Sequence, residues 1–279
     1  MKKIAIMCDS SADISKEEAK QLDLHVIRMP MTIGQDSYVE AETITDEEVM
    51  QALKQNKIVK TAQPIIGDII EMWDKLLQTY DEVFYLPISR ELSGTCHTAI
   101  SMAESYNGKV TVVDSKFVCY PIITILKRVK EMFALGYTTQ QVKEKVEQEA
   151  ELFAILIPED VTTLKNGGRI SPAAAALAGL LKIQPLLKVE NGAIELVDKV
   201  RTLKKAYKTG LSIVLDGIDP HDYDWMIIDA NNRKVSDELK VLLEEACGQP
   251  VQQKEFKSVI MSHTGVGTIG FGRIRKIKY

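Results

Sequence analysis

The sequence contains little of what proteins most often use to bind metals or to build disulfide frameworks. Among 279 residues there are four cysteines and four histidines. The cysteines stand far apart, at Cys8, Cys96, Cys119 and Cys247, and none belongs to a CxxC pair. Because zinc sites and disulfide scaffolds rest on closely spaced ligands, we predict no bound metal and four reduced, buried thiols. Reduced thiols are typical of a cytoplasmic protein.

Long apolar runs and a targeting segment are also lacking. No stretch approaches the roughly 18 uninterrupted apolar residues that would predict a membrane span. The sequence begins Met1-Lys2-Lys3 and enters a strand-like segment at once, without the apolar region and cleavage site of a signal peptide. We therefore expect neither a membrane span nor export.

The sequence also lacks an excess of positive charge. The formal net charge is -4, and acidic and basic residues are interspersed. This pattern argues against nucleic-acid binding, which normally leaves a basic patch. The basic run at the C-terminus, Arg273, Arg275, Lys276 and Lys278, is interpreted as a solvated tail.

What is present is the composition and periodicity of a globular α/β protein. Apolar residues make up 45% of the chain and charged residues 27%, and 279 residues favour two domains. Short apolar runs such as Ile4 to Cys8, Val83 to Ile88 and Val110 to Val113 alternate with helical segments. This order predicts an N-terminal α/β domain over residues 1–155, built on a doubly wound parallel sheet.

The pattern changes in the second part of the chain. Two strand-like runs, Gln184 to Val189 and Ala193 to Lys199, are separated by Asn191-Gly192, which predicts a β-hairpin. A further strand is predicted at Val259 to Met261. We therefore predict a C-terminal mixed α/β domain over residues 156–279 with an antiparallel element, and a ligand site between the two domains.

Polar loops that follow predicted strands or precede predicted helices are candidate ligand sites in such sheets. In the loop Ser89 to Thr95, free backbone N–H groups and the hydroxyls of Ser93 and Thr95 would form a cradle for an anion. Thr61 lies in a second loop, before a helix that begins near Pro64. For both loops, an ordinary helix cap is the alternative interpretation.

A third loop, Ser262 to Gly270, contains the pattern GxGxxG. A dinucleotide-binding fingerprint should be followed by a helix, another strand and an acidic residue, and the sequence ends before these. We interpret the glycines, Gly265 among them, as letting the backbone approach a ligand closely, with His263 beside it. A purely structural histidine is the alternative.

Motifs of the common catalytic classes are lacking, since there is no P-loop, no HExxH and no GxSxG. A triad of Ser93, His263 and either Asp9 or Asp114 would make a stand-alone serine hydrolase or acyltransferase. A sensor of another small anion is a second alternative. We expect a binding protein without a catalytic residue of its own.

Six short motifs, taken together, resemble the DegV-like family of bacterial fatty-acid-binding proteins. Each motif is weak alone, but all six occur in the family's order and cover nearly the whole chain. They are Asp9-Ser10-Ser11-Ala12-Asp13, Thr61-Ala62-Gln63-Pro64, Leu92-Ser93-Gly94-Thr95, Val113-Asp114-Ser115-Lys116, Gly167-Gly168-Arg169-Ile170-Ser171 and His263-Thr264-Gly265.

The resemblance implies a carrier that buries a long-chain fatty acid between its domains, with no cofactor and no enzymatic activity of its own. It implies a partner, an ATP-dependent fatty acid kinase subunit, that converts the bound carboxylate to an acyl phosphate, a phospholipid precursor. A transient contact with a membrane surface is compatible with such a carrier. The implied carboxylate-binding residues are Thr61, Ser93, Gly94 and His263, with Thr95 and Gly265 as additional ligand contacts. The implied contacts with the kinase are Arg201 and Arg169.

The sequence departs from the family pattern at several places. Ala62 and Ile65 stand where hydroxyl residues would be expected, and Val266 stands where a proline would separate the glycines. These departures concern details of the pocket more than the carboxylate contacts. The segment 173–181 is a candidate for the apolar wall of the pocket, and ordinary core packing is the alternative interpretation.

Overall fold

The computed structural model describes residues 2–178 and 183–279. The strands are β1 (Ile4–Asp9), β2 (His25–Ile27), β3 (Pro30–Ile33), β4 (Asp36–Val39), β5 (Val59–Thr61), β6 (Glu82–Leu86), β7 (Val110–Val112), β8 (Leu152–Ile157), β9 (Gln184–Glu190), β10 (Ala193–Val200), β11 (Tyr223–Asp229), β12 (Val251–Glu255) and β13 (Ile269–Arg275). The helices are α1 (Lys16–Gln21), α2 (Asp46–Lys54), α3 (Ile66–Leu76), α4 (Thr95–Ala103), α5 (Pro121–Ala134), α6 (Thr139–Glu149), α7 (Val161–Gly167), α8 (Pro172–Ala175), α9 (Leu203–Leu215), α10 (Arg233–Cys247) and α11 (Ser258–Thr264). Within the described ranges, no helix has the length and apolar character needed to cross a membrane.

The N-terminal half is built on a parallel sheet with the strand order β2-β1-β6-β7. Its central strands are short and almost fully buried, as expected of strands covered on both faces. On one face, Met7 and Tyr85 pack with Trp73 of α3. On the other face, Cys8 and Phe84 belong to the core formed with α5 and α6. The predicted doubly wound parallel sheet is confirmed.

The C-terminal half holds a six-stranded mixed sheet with the order β10-β9-β8-β13-β11-β12. The predicted hairpin is confirmed, because β9 and β10 pair antiparallel around Asn191-Gly192, where both residues have positive φ. The two faces of the sheet bury different residues. Ile155 and Phe271 pack with α9 and α10, whereas Leu156 and Ile274 belong to the core shared with the N-terminal half.

A small antiparallel sheet, with the order β4-β3-β5, carries Thr61 at the end of β5. Met31 of the central strand is fully buried and pairs with Thr61. Helix α11 packs against both β5 and α2. A helix from the end of the chain therefore lies on elements of the N-terminal half, and it brings His263 close to Thr61.

Two predictions of local structure in the last part of the chain are wrong. The predicted strand Val259 to Met261 lies within α11. The central strand that follows, β13, is not predicted by the pattern, because Gly270 and Gly272 interrupt it and glycine normally weakens a strand. His263 therefore lies on a helix, and Gly270 lies in a strand, where the sequence predicted one polar loop.

The prediction for the cysteines is confirmed, whereas the interpretation of the C-terminal basic residues is partly wrong. All four cysteines are free and buried, as predicted. The interpretation of the basic run as a solvated tail is wrong for Arg273, which lies in β13 and is only 7% exposed. Its guanidinium lies over the rings of Phe153 and Tyr223 and donates to the carbonyl of Val214. These contacts stabilise the buried charge within the fold.

The boundary between the two domains stays a prediction. The predicted boundary, between residues 155 and 156, falls inside β8, which pairs along its length with β13. Because all of β8 belongs to the six-stranded sheet, we propose that the boundary lies before Leu152.

Candidate functional site

A long cavity lies between the N-terminal and the C-terminal half. Both halves contribute to its walls, with Met29, Ile88 and Cys119 from the first and Met226 and Phe256 from the second. The cavity holds about 1060 Å³ of empty space, its open mouth included. The residues that line the cavity are mostly apolar, which suits an apolar ligand.

One wall of the cavity follows the six-stranded sheet. Leu152, Ala154 and Leu156 alternate along β8 and share a face with Gly270 and Gly272 of β13. A β carbon would lie 3.2 Å from Phe256 at Gly270 and 2.5 Å from Ala154 Cα at Gly272, so the glycines let neighbouring atoms approach β13 closely. The stretch of β8 from Leu152 to Leu156 alone extends the wall by about 13 Å. The shape favours an elongated apolar molecule.

A hydrogen bond between Thr61 and His263 marks one end of the cavity. Thr61 Oγ1 and His263 Nε2 lie 2.6 Å apart, and both residues line the cavity. Thr61 ends strand β5, and His263 lies in the last turn of α11. The packing of α11 on β5 therefore sets the geometry of this pair.

The start of α4 contributes Ser93 to the same end, whereas the predicted contacts Gly94 and Thr95 do not line the cavity. Ser93 lines the cavity, and its Oγ lies 2.9 Å from Thr95 Oγ1 and accepts a hydrogen bond from the Thr95 N–H. A β carbon at Gly94 would lie 3.0 Å from Gln63 Oε1, so this loop touches the segment that follows Thr61. Within residues 2–178 and 183–279, no acceptor is found for the Gly94 N–H.

Arg169 adds a positive charge to this end of the cavity. Its Nη1 donates to the carbonyl of Gly167 at 2.5 Å and its Nε to the carbonyl of Leu92 at 3.4 Å. Gly167 in turn lies against the His263 ring, since a β carbon there would be 2.7 Å from Nδ1. Arg169 is exposed and lines the cavity, so its guanidinium lies at the mouth, between α7 and the Ser93 loop.

The imidazole of His263 is neutral at neutral pH. Burial, together with the nearby guanidinium of Arg169, lowers the pKa of His263 to about 4. Its Nδ1 is buried and has no hydrogen-bond partner in the described part of the chain. If the proton is on Nε2, the ring donates to Thr61 Oγ1, and the threonine hydroxyl is left to donate to a ligand.

The groups at this end are mainly donors, and they suit an anion that can only accept hydrogen bonds. The hydroxyls of Thr61 and Ser93 and the Arg169 guanidinium line the cavity and can all donate. A carboxylate is acceptor-only, and burying it without such donors would be costly. Among the described residues, no group of three or more His, Cys, Asp or Glu side chains is placed to hold a metal ion.

The remaining predicted residues lie elsewhere. Gly265 is buried, has a φ of 86° and ends α11 against Thr163. Arg201 is exposed, directly after β10, and does not line the cavity. Of the predicted wall segment 173–181, residues 173–178 do not line the cavity, and residues 179–181 lie outside the described residues. The true walls come from β8, β13 and the loop before α5, whose apolar residues look like ordinary core in the sequence.

The geometry does not support the serine-hydrolase alternative. His263 Nε2 is bonded to Thr61, and Ser93 Oγ is bonded to Thr95. Asp9 accepts from the N–H groups of Ser11 and Ile88, and Asp114 forms an ion pair with Arg90 at 2.6 Å. Neither carboxylate orients the His263 ring, as a triad requires.

Comparison with known proteins identifies relatives over the full length. A family model described as "Uncharacterised protein, DegV family" matches residues 3–276. A DegV domain-containing protein of Staphylococcus aureus (strain N315) is 30% identical over 281 residues, which cover 99% of this chain and 100% of the relative.

Solved structures agree with this relationship. The structure described as "Fatty Acid Binding of a DegV family Protein from Thermus thermophilus" has a TM-score of 0.85 and 27% identity, and the match covers 98% of this chain and 99% of that one. That of "DegV, a fatty acid binding protein from Bacillus subtilis" has a TM-score of 0.85 and 25% identity, with 99% and 100% covered. The two-domain α/β fold is therefore shared with proteins that bind fatty acids.

Proposed function

This chain belongs to the DegV family, and on that premise we propose that it binds a long-chain fatty acid and presents the carboxylate to a separate ATP-dependent kinase. The observation that carries the proposal is the cavity, which is long, apolar and ringed at one end by Thr61, Ser93 and His263. The protein itself performs no reaction in this proposal. It holds the acyl chain away from water and leaves the head group at the mouth.

The apolar walls account for most of the expected affinity. Burying a chain of about 14 methylenes contributes roughly 11 kcal/mol at about 0.8 kcal/mol each, before the costs of association. Each charge-assisted hydrogen bond to the head group contributes only about 1.5–3 kcal/mol. The acyl chain therefore supplies affinity, and the polar end selects a carboxylate over an uncharged head group.

Removal of the Ser93 hydroxyl tests the head-group site. In a calorimetric titration with hexadecanoate, Ser93→Ala should bind at least about tenfold more weakly, because it removes a hydrogen bond to a charged group. Ser101→Ala is a matched control, since Ser101 is an exposed serine on α4. If Ser93→Ala binds hexadecanoate as tightly as the control does, Ser93 does not contact the carboxylate.

We assign the contact with the kinase to Arg201, and Arg169 is a second contact at the mouth of the cavity. Both side chains are exposed and positively charged, so they remain accessible while the acyl chain is buried. In a reconstituted assay with the kinase and ATP, Arg201→Ala should bind hexadecanoate normally but form acyl phosphate slowly. Arg233→Ala, at an exposed arginine of α10, is the control and should be normal in both assays. Normal turnover by Arg201→Ala would remove the proposed contact.

A further inference from the structure

Helix α11 is fixed at its first turn by two aspartates that are remote in sequence. The Lys257 N–H donates to Asp13 Oδ1 at 3.1 Å, and the Ser258 N–H donates to Asp46 Oδ1 at 2.9 Å. The Ser258 hydroxyl also bonds to Asp46, and Lys257 Nζ lies 3.3 Å from Asp46 Oδ2. Asp13 and Ser258 are both buried. The helix start is thus tied to the N-terminal half, although α11 lies between strands β12 and β13.

The contacts at the first turn of α11 affect the position of His263 in the cavity because the helix is short. It spans seven residues and carries His263 in its last turn, so its first turn and His263 move together. The contact partner of His263, Thr61, belongs to the N-terminal half. A displacement of α11 by about 1 Å away from β5 would stretch the 2.6 Å contact beyond the ordinary hydrogen-bond range of roughly 2.7–3.2 Å.

We propose that Asp13 and Asp46 are positioning residues for the head-group end of the cavity, which is the end lined by Thr61, Ser93 and His263. Their carboxyl groups accept from the first N–H groups of α11 and hold the helix on the N-terminal half, so that His263 meets Thr61. Neither residue lines the cavity. This role rests on the proposed function in one respect, namely that the groups positioned by the two aspartates recognise a carboxylate.

The C-terminal end of α11 keeps hydrogen bonds of its own when the first turn is perturbed. Thr268 Oγ1 donates to the carbonyl of Thr264 at 2.7 Å, and the Gly265 N–H donates to the carbonyl of Met261 at 2.9 Å. Gly265 also packs on Thr163 of α7. With these bonds intact, loss of the Asp46 contacts should shift the helix as a unit, His263 included, rather than unfold it.

The test compares Asp46→Ala with two related variants. Asp46→Asn keeps an acceptor for the Ser258 N–H and should behave nearly as wild type. Glu47→Ala removes a neighbouring carboxylate from the same turn of α2, one that bonds only to Gln51 on the surface among the described residues, and it should change nothing. Two quantities are measured, the titration of the His263 ring by NMR in the ligand-free protein and the ratio of affinities for hexadecanoate and hexadecanol.

In Asp46→Ala, the His263 ring should titrate at a higher pH than in wild type, because it leaves its buried position beside Thr61. The preference for hexadecanoate over hexadecanol should fall at least about tenfold, while hexadecanol binds as before. An unchanged ring titration together with an unchanged ratio would overturn the positioning role. If wild type binds neither ligand, the proposed function fails, and the ring titration still decides the positioning role.

If Asp46→Ala fails to fold, Ser258→Ala still tests the proposal. Ser258→Ala deletes only the hydroxyl contact to Asp46 and leaves a methyl group in a buried position. It should move the ring titration and the affinity ratio in the same direction as Asp46→Ala, by a smaller amount. No movement in either quantity would contradict the proposal.

Discussion

Ala154→Leu should shorten the acyl chain that the cavity accepts. Ala154 lies in the middle of β8 and points to the cavity face, opposite Gly272 of the neighbouring strand. A β carbon at Gly272 would lie 2.6 Å from Ala154 Cβ, so the close approach of β8 and β13 at this point requires the glycine. A leucine at position 154 would extend into the cavity that Ala154 lines.

The size of the effect follows from the volume that the leucine fills. Leucine carries three carbon atoms more than alanine and displaces about three ligand methylenes. At about 0.8 kcal/mol per buried methylene, the loss is about 2.4 kcal/mol, or roughly fiftyfold in the dissociation constant for hexadecanoate. Dodecanoate, which is four carbons shorter, should bind almost as it does to wild type.

Calorimetric titration of both acids measures this difference. Ala193→Leu adds the same three carbons to β10, outside the cavity lining, and should leave both affinities unchanged. Equal weakening of dodecanoate and hexadecanoate by Ala154→Leu, or no weakening of either, would refute the assignment of this wall to the acyl chain.

Two further predictions concern stability. Ile65 is the N-cap residue of α3, is 58% exposed and makes no side-chain capping bond. A serine there can cap the helix, so Ile65→Ser should raise the free energy of unfolding in urea titrations by about 0.5–2 kcal/mol. An unchanged or lower free energy of unfolding would contradict this prediction. Burial, with Arg169, lowers the pKa of folded His263 from 6.5 to about 4, so the unfolded chain binds the extra proton in that interval. Wild-type stability should therefore fall, relative to His263→Gln, by up to about 3 kcal/mol as the pH drops from 6.5 to 4, and an identical pH dependence of both proteins would contradict the buried neutral ring.

The parallel sheet and the hairpin are predictable from the sequence because their signals are local. Apolar runs such as Val83 to Ile88 end at turns, and Asn191-Gly192 favours the positive φ angles that a tight hairpin needs. Helix α11 is not predictable in this way. Its short apolar run suits a strand as well as a helix, and the groups that cap it, Asp13 and Asp46, lie more than 200 positions away.

The head-group end is visible in the sequence only as separate motifs. Thr61, Ser93 and His263 each stand beside a predicted turn or glycine, and their order along the chain matches the family, which suggests that they act together. Their proximity depends on α11 packing on β5, which no local pattern encodes. The apolar walls are still harder to predict from the sequence, because Leu152, Ala154 and Leu156 have the alternation of any buried strand.

Mass spectrometry of the small molecules that the protein retains would show whether the cavity holds a fatty acid. The purified protein is incubated with hexadecanoate, hexadecanol and inorganic phosphate, passed through a desalting column and denatured, and the released molecules are quantified against the chain. We expect hexadecanoate in an amount equal to the protein, with much less hexadecanol. Recovery of no lipid, or of phosphate in its place, would contradict it.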